Sequence, residues 1–537
     1  VSESLLIVNA RVWSGEPLAA DAVVVERDRV TAVGEGRTLR PRVPEARVLD
    51  AEGATLTPGL TDAHIHFVPW ARSRRQPDLH GARSREEALA RVRDALEKQP
   101  ADGSPLVGRG WDENGWLQAP DRAALDAIAP HRPVLLHRHD FHALWVNSAA
   151  LAAAGLGRGT PDPEGGRFER DVAGELTGLV REHAVRAFLA LEDRAGPAVA
   201  DALLDEAAAE LHAEGITAVH DYQRNEADAR WMRSLAARRA LRVLQHVGPE
   251  QLRTAAEDGR RGAVGDAWFR WGALKLFADG TLGSRTAAML APYDDTPGTG
   301  MVLLSPRELE QEIARGAAAG FSVAIHAIGD AAVRNTLDAI ERNREALGAL
   351  ALPPRIEHAQ LVDPADLARF ARLGVAASMQ PQHFTSDAPV ARRAWGERCR
   401  HAYPWRSFLD ARVPLAFGSD APVEPPLARL GLASAVARLT ADGGPLEPDQ
   451  AIPLDAALTA YTSGAAYLAG GLLGPGVIRT GEWADLVVWD RDLHATSPER
   501  LADARPRWTV LGGRIVYESA RGRAHATSAG PGREERA

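Results

Sequence analysis

Short apolar runs alternate with stretches rich in Ala, Leu, Arg and Glu through most of the chain. The runs at 216–220, 241–246, 273–277, 321–326, 355–358, 375–378 and 413–417 are four to six residues long, the length of buried strands. Residues 202–214, 308–319, 331–345 and 364–373 carry the spacing of amphipathic helices. Strand and helix alternating in this way predict βα units and a parallel sheet. Counting the run that ends at His66, there are about eight units, the number that closes a (β/α)8 TIM-like barrel.

The two ends of the chain break this rhythm. Runs at 5–12, 21–26, 29–33 and 46–49 read as strands without intervening helices, and so do 485–489 and 508–517, the last with Gly512-Gly513 as a hairpin turn. These ends pair in our reading: residues 1–56 and 476–520 form a composite β-sandwich domain, and 57–475 form the barrel. Residues 67–200, with Trp111, Trp116 and Trp145 among Gly and Pro, form a long insertion after the first barrel strand. Loops that follow barrel strands lie on the catalytic face, so this insertion is expected to roof the site. The segment 521–537, rich in Arg, Gly, Ala and Glu, is expected to be a disordered tail.

Composition narrows the functional classes. The chain has 537 residues, 45% hydrophobic and 25% charged, with a net charge of −9. This is a globular α/β composition, and its acidity argues against a nucleic-acid footprint. No apolar run reaches the ~20 residues of a membrane helix. The first residues read as the start of a sheet and not as a signal peptide. Cys399 is the one cysteine, so there is no intrachain disulfide and no thiolate-rich zinc site. A cytoplasmic protein acting on a small molecule is the expectation, with a homodimer as the commonest assembly.

The chemistry-bearing residues stand at strand ends. His64 and His66 lie one residue apart after an apolar run. On a strand, residues i and i+2 share a face, so both imidazoles point at one metal ion. Lys275 lies inside Leu274-Lys275-Leu276-Phe277, where a lysine is costly unless paired or modified. His220, His326, His358 and Asp420 each end or follow another run. Catalytic residues drawn from the ends of several strands are the mark of a barrel enzyme.

At these positions the chain resembles the metal-dependent amidohydrolase superfamily, in its amidohydrolase-3 branch of N-substituted formamide deformylase-like enzymes. The motifs that carry the resemblance are Thr57-Pro58-Gly59-Leu60-Thr61-Asp62-Ala63-His64-Ile65-His66, Lys275-Leu276-Phe277-Ala278-Asp279-Gly280-Thr281, Ile325-His326-Ala327-Ile328-Gly329-Asp330, Ile356-Glu357-His358-Ala359-Gln360 and Phe417-Gly418-Ser419-Asp420-Ala421-Pro422. The resemblance implies a first metal on His64, His66 and Asp420 and a second on His326 and His358. It implies a CO2-derived carbamate on Lys275 that bridges the two divalent ions, zinc by default. It implies hydrolysis of an amide-type C–N bond with Asp420 as general base.

The insertion carries a further motif. His139-Asp140-Phe141-His142 is similar to the family's Asp-Gly-His segment, with Phe141 in place of the glycine. Glycine reaches positive φ freely and phenylalanine does not, so the local backbone is an open question. His142, Trp111, Phe141 and Arg285 are candidate substrate contacts. His220 is a candidate for supporting the metal ligands from behind. Two other readings stay open: a mononuclear-metal aminohydrolase (deaminase) with unmodified Lys275, and a non-catalytic small-molecule-binding barrel.

Overall fold

A computed structural model describes residues 4–98, 103–192, 194, 200–222, 225–441, 443–471 and 476–527. Its centre is a parallel eight-stranded sheet: β1 (Leu60–Ile65), β2 (Ile216–Tyr222), β3 (Arg242–Val247), β4 (Phe269–Phe277), β5 (Val323–Ala327), β6 (Arg355–His358), β7 (Ala376–Met379) and β8 (Leu415–Phe417). Each strand pairs with the next in chain order. A parallel bridge between Ile65 and Ala421 brings the last strand round to the first. This is the expected (β/α)8 barrel. Its strands are apolar because both faces are covered, one by helices and one by the barrel interior.

The helices bury one stripe each. In Asp330–Arg342, Val333, Leu337 and Ile340 face the sheet at helical spacing. Helix Pro306–Ala318 begins with a capping box between Ser305 and Glu308. Helix Pro364–Leu373 starts on the Asp363 side chain and stops at Gly374, whose φ of 66° is a left-handed C-terminal cap. β4 starts four residues earlier than the apolar run suggests, because Phe269–Gly272 extend the pairing with β3.

Two further five-stranded sheets come from the chain ends. One holds Leu5–Val8, Ala22–Glu26, Arg29–Gly34 and Arg47–Asp50. The other joins Arg11–Val12 and Thr55–Pro58 to Leu486–Trp489, Pro506–Leu511 and Arg514–Glu518. Leu5, Ile7, Val23, Val25, Leu56, Leu486, Val488 and Trp508 form the core they share. Gly512 and Gly513 turn the last hairpin at φ 53° and 72°, as an Asn-Gly-type two-residue turn requires.

The tail differs from expectation. Residues 520–525 form a helix, and Ala526–Thr527 pair with Leu49 and Val48 as a fifth strand of the first sheet. Gly522 lies against the Trp508 ring, where a side chain would collide, and Arg521 pairs with Glu52 at 2.9 Å. The rest of the expected tail, 528–537, lies outside the described residues.

The insertion after β1 carries its own five-stranded sheet, in the order Gly166–Arg170, Leu176–Glu182, Ala143–Val146, Val134–Arg138, Leu106–Trp111. Trp111, Trp116 and Trp145 meet at ring separations of 6.2–6.4 Å, and each indole N–H donates to a backbone carbonyl. No helix among the described residues is long and apolar enough to cross a membrane.

Candidate metal centre

The bonds that bring β8 to β1 also place the candidate ligands. The Asp420 N–H donates to the His64 carbonyl at 2.7 Å, and the His66 N–H donates to the Ala421 carbonyl at 2.8 Å. Buried Asp62 receives the Ser419 N–H and hydroxyl at 2.9 and 2.6 Å. Burial pushes the Asp62 carboxyl up to about 7, the Ser419 bonds pulling the other way. Asp420 itself stands at φ 61°, held there by this ring of contacts.

His64 and His66 then converge. Their Nε2 atoms are each 3.4 Å from Asp420 Oδ1. Four ligands at 2.0–2.1 Å around a tetrahedral zinc are spaced ~3.3 Å apart, so the separation suits an ion between them. The other ring nitrogens are occupied: His64 Nδ1 donates to Glu357 Oε2 at 2.7 Å and His66 Nδ1 donates to the Tyr222 carbonyl at 3.0 Å. Acceptors there fix the Nδ1–H tautomer and leave the Nε2 lone pairs facing Asp420. Burial pushes the His64 imidazole well below its ordinary value, into the neutral form that binds metal.

The other side of Asp420 carries a second group. His358 Nδ1 is 4.0 Å and His383 Nε2 3.9 Å from Asp420 Oδ2. Neither nitrogen has a hydrogen-bond partner. His358, at the end of β6, takes φ 73° and Ala359 takes 43°, which turns the chain at the rim. His383 comes from the first turn of helix Pro381–Trp395, after β7. It escaped the sequence reading, although a histidine four residues past a barrel strand, behind a helix-starting Pro381, is a legible signal.

Lys275 and His326 lie beside these groups. The Lys275 ammonium is buried without a partner, 4.4 Å from the Tyr222 ring centre and 4.8 Å from that of Phe277. Burial pushes the amine down to about 8, against the pull of Glu357 and Asp420. The His326 ring is 4.5 Å from that of His358, and its Nε2 donates to the Gly280 carbonyl at 3.0 Å.

Beneath the site runs a buried polar network. Arg355 pairs with Glu357 at 2.7 Å and donates to His220 Nδ1 at 3.0 Å and to the Tyr222 hydroxyl. Tyr222 donates to Glu357 at 2.6 Å. His220 is therefore linked to His64 through Arg355 and Glu357. It does not reach Asp420. Glu357, inside the Ile356-Glu357-His358 motif, is the centre of this network. Its signal was a carboxylate directly before the candidate ligand His358 at a strand end.

Above the site opens a cavity of about 450 Å³. His142, Trp116 and His139 from the insertion line it, facing Leu282, Val390 and Asp420. His142 donates to Glu182 at 2.6 Å; burial opposes its charge, but that carboxylate carries the imidazole up to about 9. Buried Arg138 binds Asp112, Glu113 and Asp140 at 2.7–2.8 Å, and Asp140 receives the Thr281 hydroxyl at 2.7 Å, which clasps the insertion to the loop after β4. Phe141 does adopt the glycine-like backbone, at φ 61°.

Three residues expected at the substrate lie elsewhere. Phe141 stacks on His137 at 4.8 Å, away from the cavity. Trp111 is fully buried in the core of the insertion. Arg285 pairs with Asp295. None of the three lines the cavity.

Comparison with known proteins agrees with this architecture. Residues 47–517 match the model of the amidohydrolase family. The chain belongs to that family. The Bacillus subtilis (strain 168) protein YtcJ is 32% identical over 527 residues, spanning 93% of this chain and 96% of its own. The N-substituted formamide deformylase of Arthrobacter pascens is 30% identical over 544 residues, spanning 96% and 98%. Among solved structures, an uncharacterized metal-dependent hydrolase from Pyrococcus horikoshii OT3 superimposes with a TM-score of 0.74 at 27% identity, covering 92% of this chain and 99% of that one.

Proposed function

We propose that this amidohydrolase is a metal-dependent hydrolase that cleaves the amide-type C–N bond of a small N-substituted amide with a partly hydrophobic substituent. The observation that carries the reading is the meeting of two tautomer-fixed imidazoles and a carboxylate oxygen at metal-ligand spacing, the carboxylate lining a cavity. The donor set fits a divalent ion, since His with carboxylate suits zinc. His64, His66 and Asp420 would hold a first ion. Lys275, His326 and His358 would hold a second ion, and a buried amine near pKa 8 with no hydrogen-bond partner fits conversion to a carbamate. When bound, divalent ions acidify water and polarise a carbonyl, with the pKa of water brought from 15.7 to about 7.

The chain's own residues complete the reaction. Asp420 accepts the proton of the attacking water and returns it to the departing amine. Charged His142, on the cavity wall, donates a hydrogen bond to the substrate oxygen as negative charge gathers there. Trp116, Leu282 and Val390 cover an apolar substituent. The formamide-cleaving relative from Arthrobacter pascens supports this substrate class.

The test is a panel of N-alkyl and N-aryl formamides and acetamides given to zinc-reconstituted protein, with zinc counted per chain. Amide hydrolysis with two ions per chain is expected. No hydrolysis across the panel would overturn the reading. A mononuclear aminohydrolase is the second reading, favoured by the use of His326 Nε2 on the Gly280 carbonyl. It requires one ion per chain and ammonia release from amino-substituted rings.

A further inference from the structure

We propose that His383 is a metal ligand: with His358 and the Oδ2 oxygen of Asp420 it forms a second site for a divalent, zinc-type cation, back to back with the His64–His66 site. The proposal rests on the metal-dependent reading above and adds to it a ligand from the helix after β7.

Three observations carry it. First, His358 Nδ1 and His383 Nε2 are buried and have no hydrogen-bond partner. Leaving two such nitrogens unsatisfied costs free energy unless something binds them. Second, these nitrogens and an Asp420 oxygen all lie within 4.8 Å of one another. The 3.9–4.0 Å separations from Oδ2 exceed the ~3.3 Å edge of a zinc tetrahedron by little more than half an ångström, a shift that side-chain rotation supplies. Third, the two oxygens of Asp420 divide the histidines between them. Oδ1 faces His64 and His66, and Oδ2 faces His358 and His383. A carboxylate offers about four lone-pair directions, so Asp420 can touch both ions and still accept a proton.

The surroundings agree. Helix Pro381–Trp395 places His383 in its first turn, and the Gln360 amide lies 3.4 Å from its Nδ1, leaving Nε2 to face Asp420. The His358 and His383 rings are stacked at 9°, 6.0 Å apart, presenting their nitrogens side by side. His326 spends Nε2 on the Gly280 carbonyl, and its ring packs between Phe277 and His142. His383, His358 and Asp420 all line the cavity.

The test uses full-length protein dialysed against buffered free zinc. The parent is expected to hold two ions, and His383→Ala and His383→Gln to bind the second roughly 100-fold more weakly or not at all, beyond the 10–100-fold typical of losing an outer partner. The first ion should stay. Cobalt-loaded His383→Cys gives direct evidence. If residue 383 touches the ion, a thiolate-to-cobalt charge-transfer band appears that the parent lacks, its own Cys399 being buried and its thiol pushed up to about 11. Two tightly held ions in both His383→Ala and His383→Gln, with no band in His383→Cys, overturn the proposal. Loss of the second ion in His326→Ala but not in the His383 variants overturns it equally. A parent that binds no zinc overturns the functional reading itself, a different outcome.

Discussion

The two histidine pairs that flank Asp420 are built differently. On one side, both Nδ1 atoms are tied, His64 to a carboxylate and His66 to a backbone carbonyl, and both Nε2 atoms sit 3.4 Å from one oxygen. On the other, His358 stands on a left-handed backbone, His383 is steadied by one long bond to Gln360, and both nitrogens lie near 4 Å from Asp420. The first pair belongs to barrel strand and strand end, underpinned by Arg355, Glu357 and Tyr222. The second spans a rim turn and a helix. Pre-organisation follows from the support behind a ligand more than from the ligand itself. The braced side should bind tightly and exchange slowly, and the loose side should bind more weakly and follow events in the cavity.

The largest expected effect comes from removing what both sides share. Asp420→Ala should lower kcat/KM by about 10³-fold or more, within the range of losing a general base, and weaken zinc on both pairs. Steady-state kinetics with zinc counting measures this. Full turnover with zinc retained would show that Asp420 neither takes the proton nor joins the pairs. Glu357→Gln separates the sides. It keeps an acceptor for His64 but removes the charge. Ion affinity at His64 and His66 should fall about 10–100-fold, while the His358 side changes by only a few-fold. Breaking the buried Arg355–Glu357 pair should also destabilise the fold by about 3–5 kcal/mol, read by urea unfolding. Equal losses on both sides would erase the contrast.

The sequence exposes the braced side better than the loose one. The His-x-His spacing is a strand period, so one rule locates both ligands and their common face. The alternation of apolar runs and helices likewise yields the eight strands and the pairing of the chain ends. His383 and Glu357 escape because their roles are made by tertiary contact. His383 is one polar residue in the first turn of a helix, and only the closure of the barrel brings it near Asp420. Trp111 and Arg285 were expected at the substrate because bulky and charged residues near a site invite that reading. Trp111 instead fills the insertion core, and Arg285 finds Asp295 one loop away. The tail shows the same limit: composition predicts disorder, but a strand edge at Arg47–Asp50 was open to Ala526–Thr527.

The smallest predicted effect sharpens the loose side. Glu424, on the loop after β8, receives the Ser386 hydroxyl at 2.6 Å, one turn along the helix from His383. It also faces His139 of the insertion at 3.5 Å. Burial opposes the His139 charge, but the bond and charge of Glu424, helped by Asp387 and Asp112, carry the imidazole up from 6.5 to about 9. His80, its ring 4.7 Å away, is pushed below the ordinary imidazole value by burial and by His139. A histidine raised in the folded state stabilises fully below its unfolded value, and the gain disappears as pH rises through the folded value. The pair should therefore stabilise the protein at pH 6, fade between 6.5 and 9, and contribute nothing above. Glu424→Gln should lower Tm by about 2 °C or less at pH 6 and leave it unchanged at pH 10. Thermal unfolding across that range reads the difference. A gap that widened with pH would place the proton elsewhere and detach the clasp between insertion and helix from His139. A gap that closes as predicted, with second-ion affinity weakened alongside it at pH 6, would tie the loose pair to the seating of the insertion.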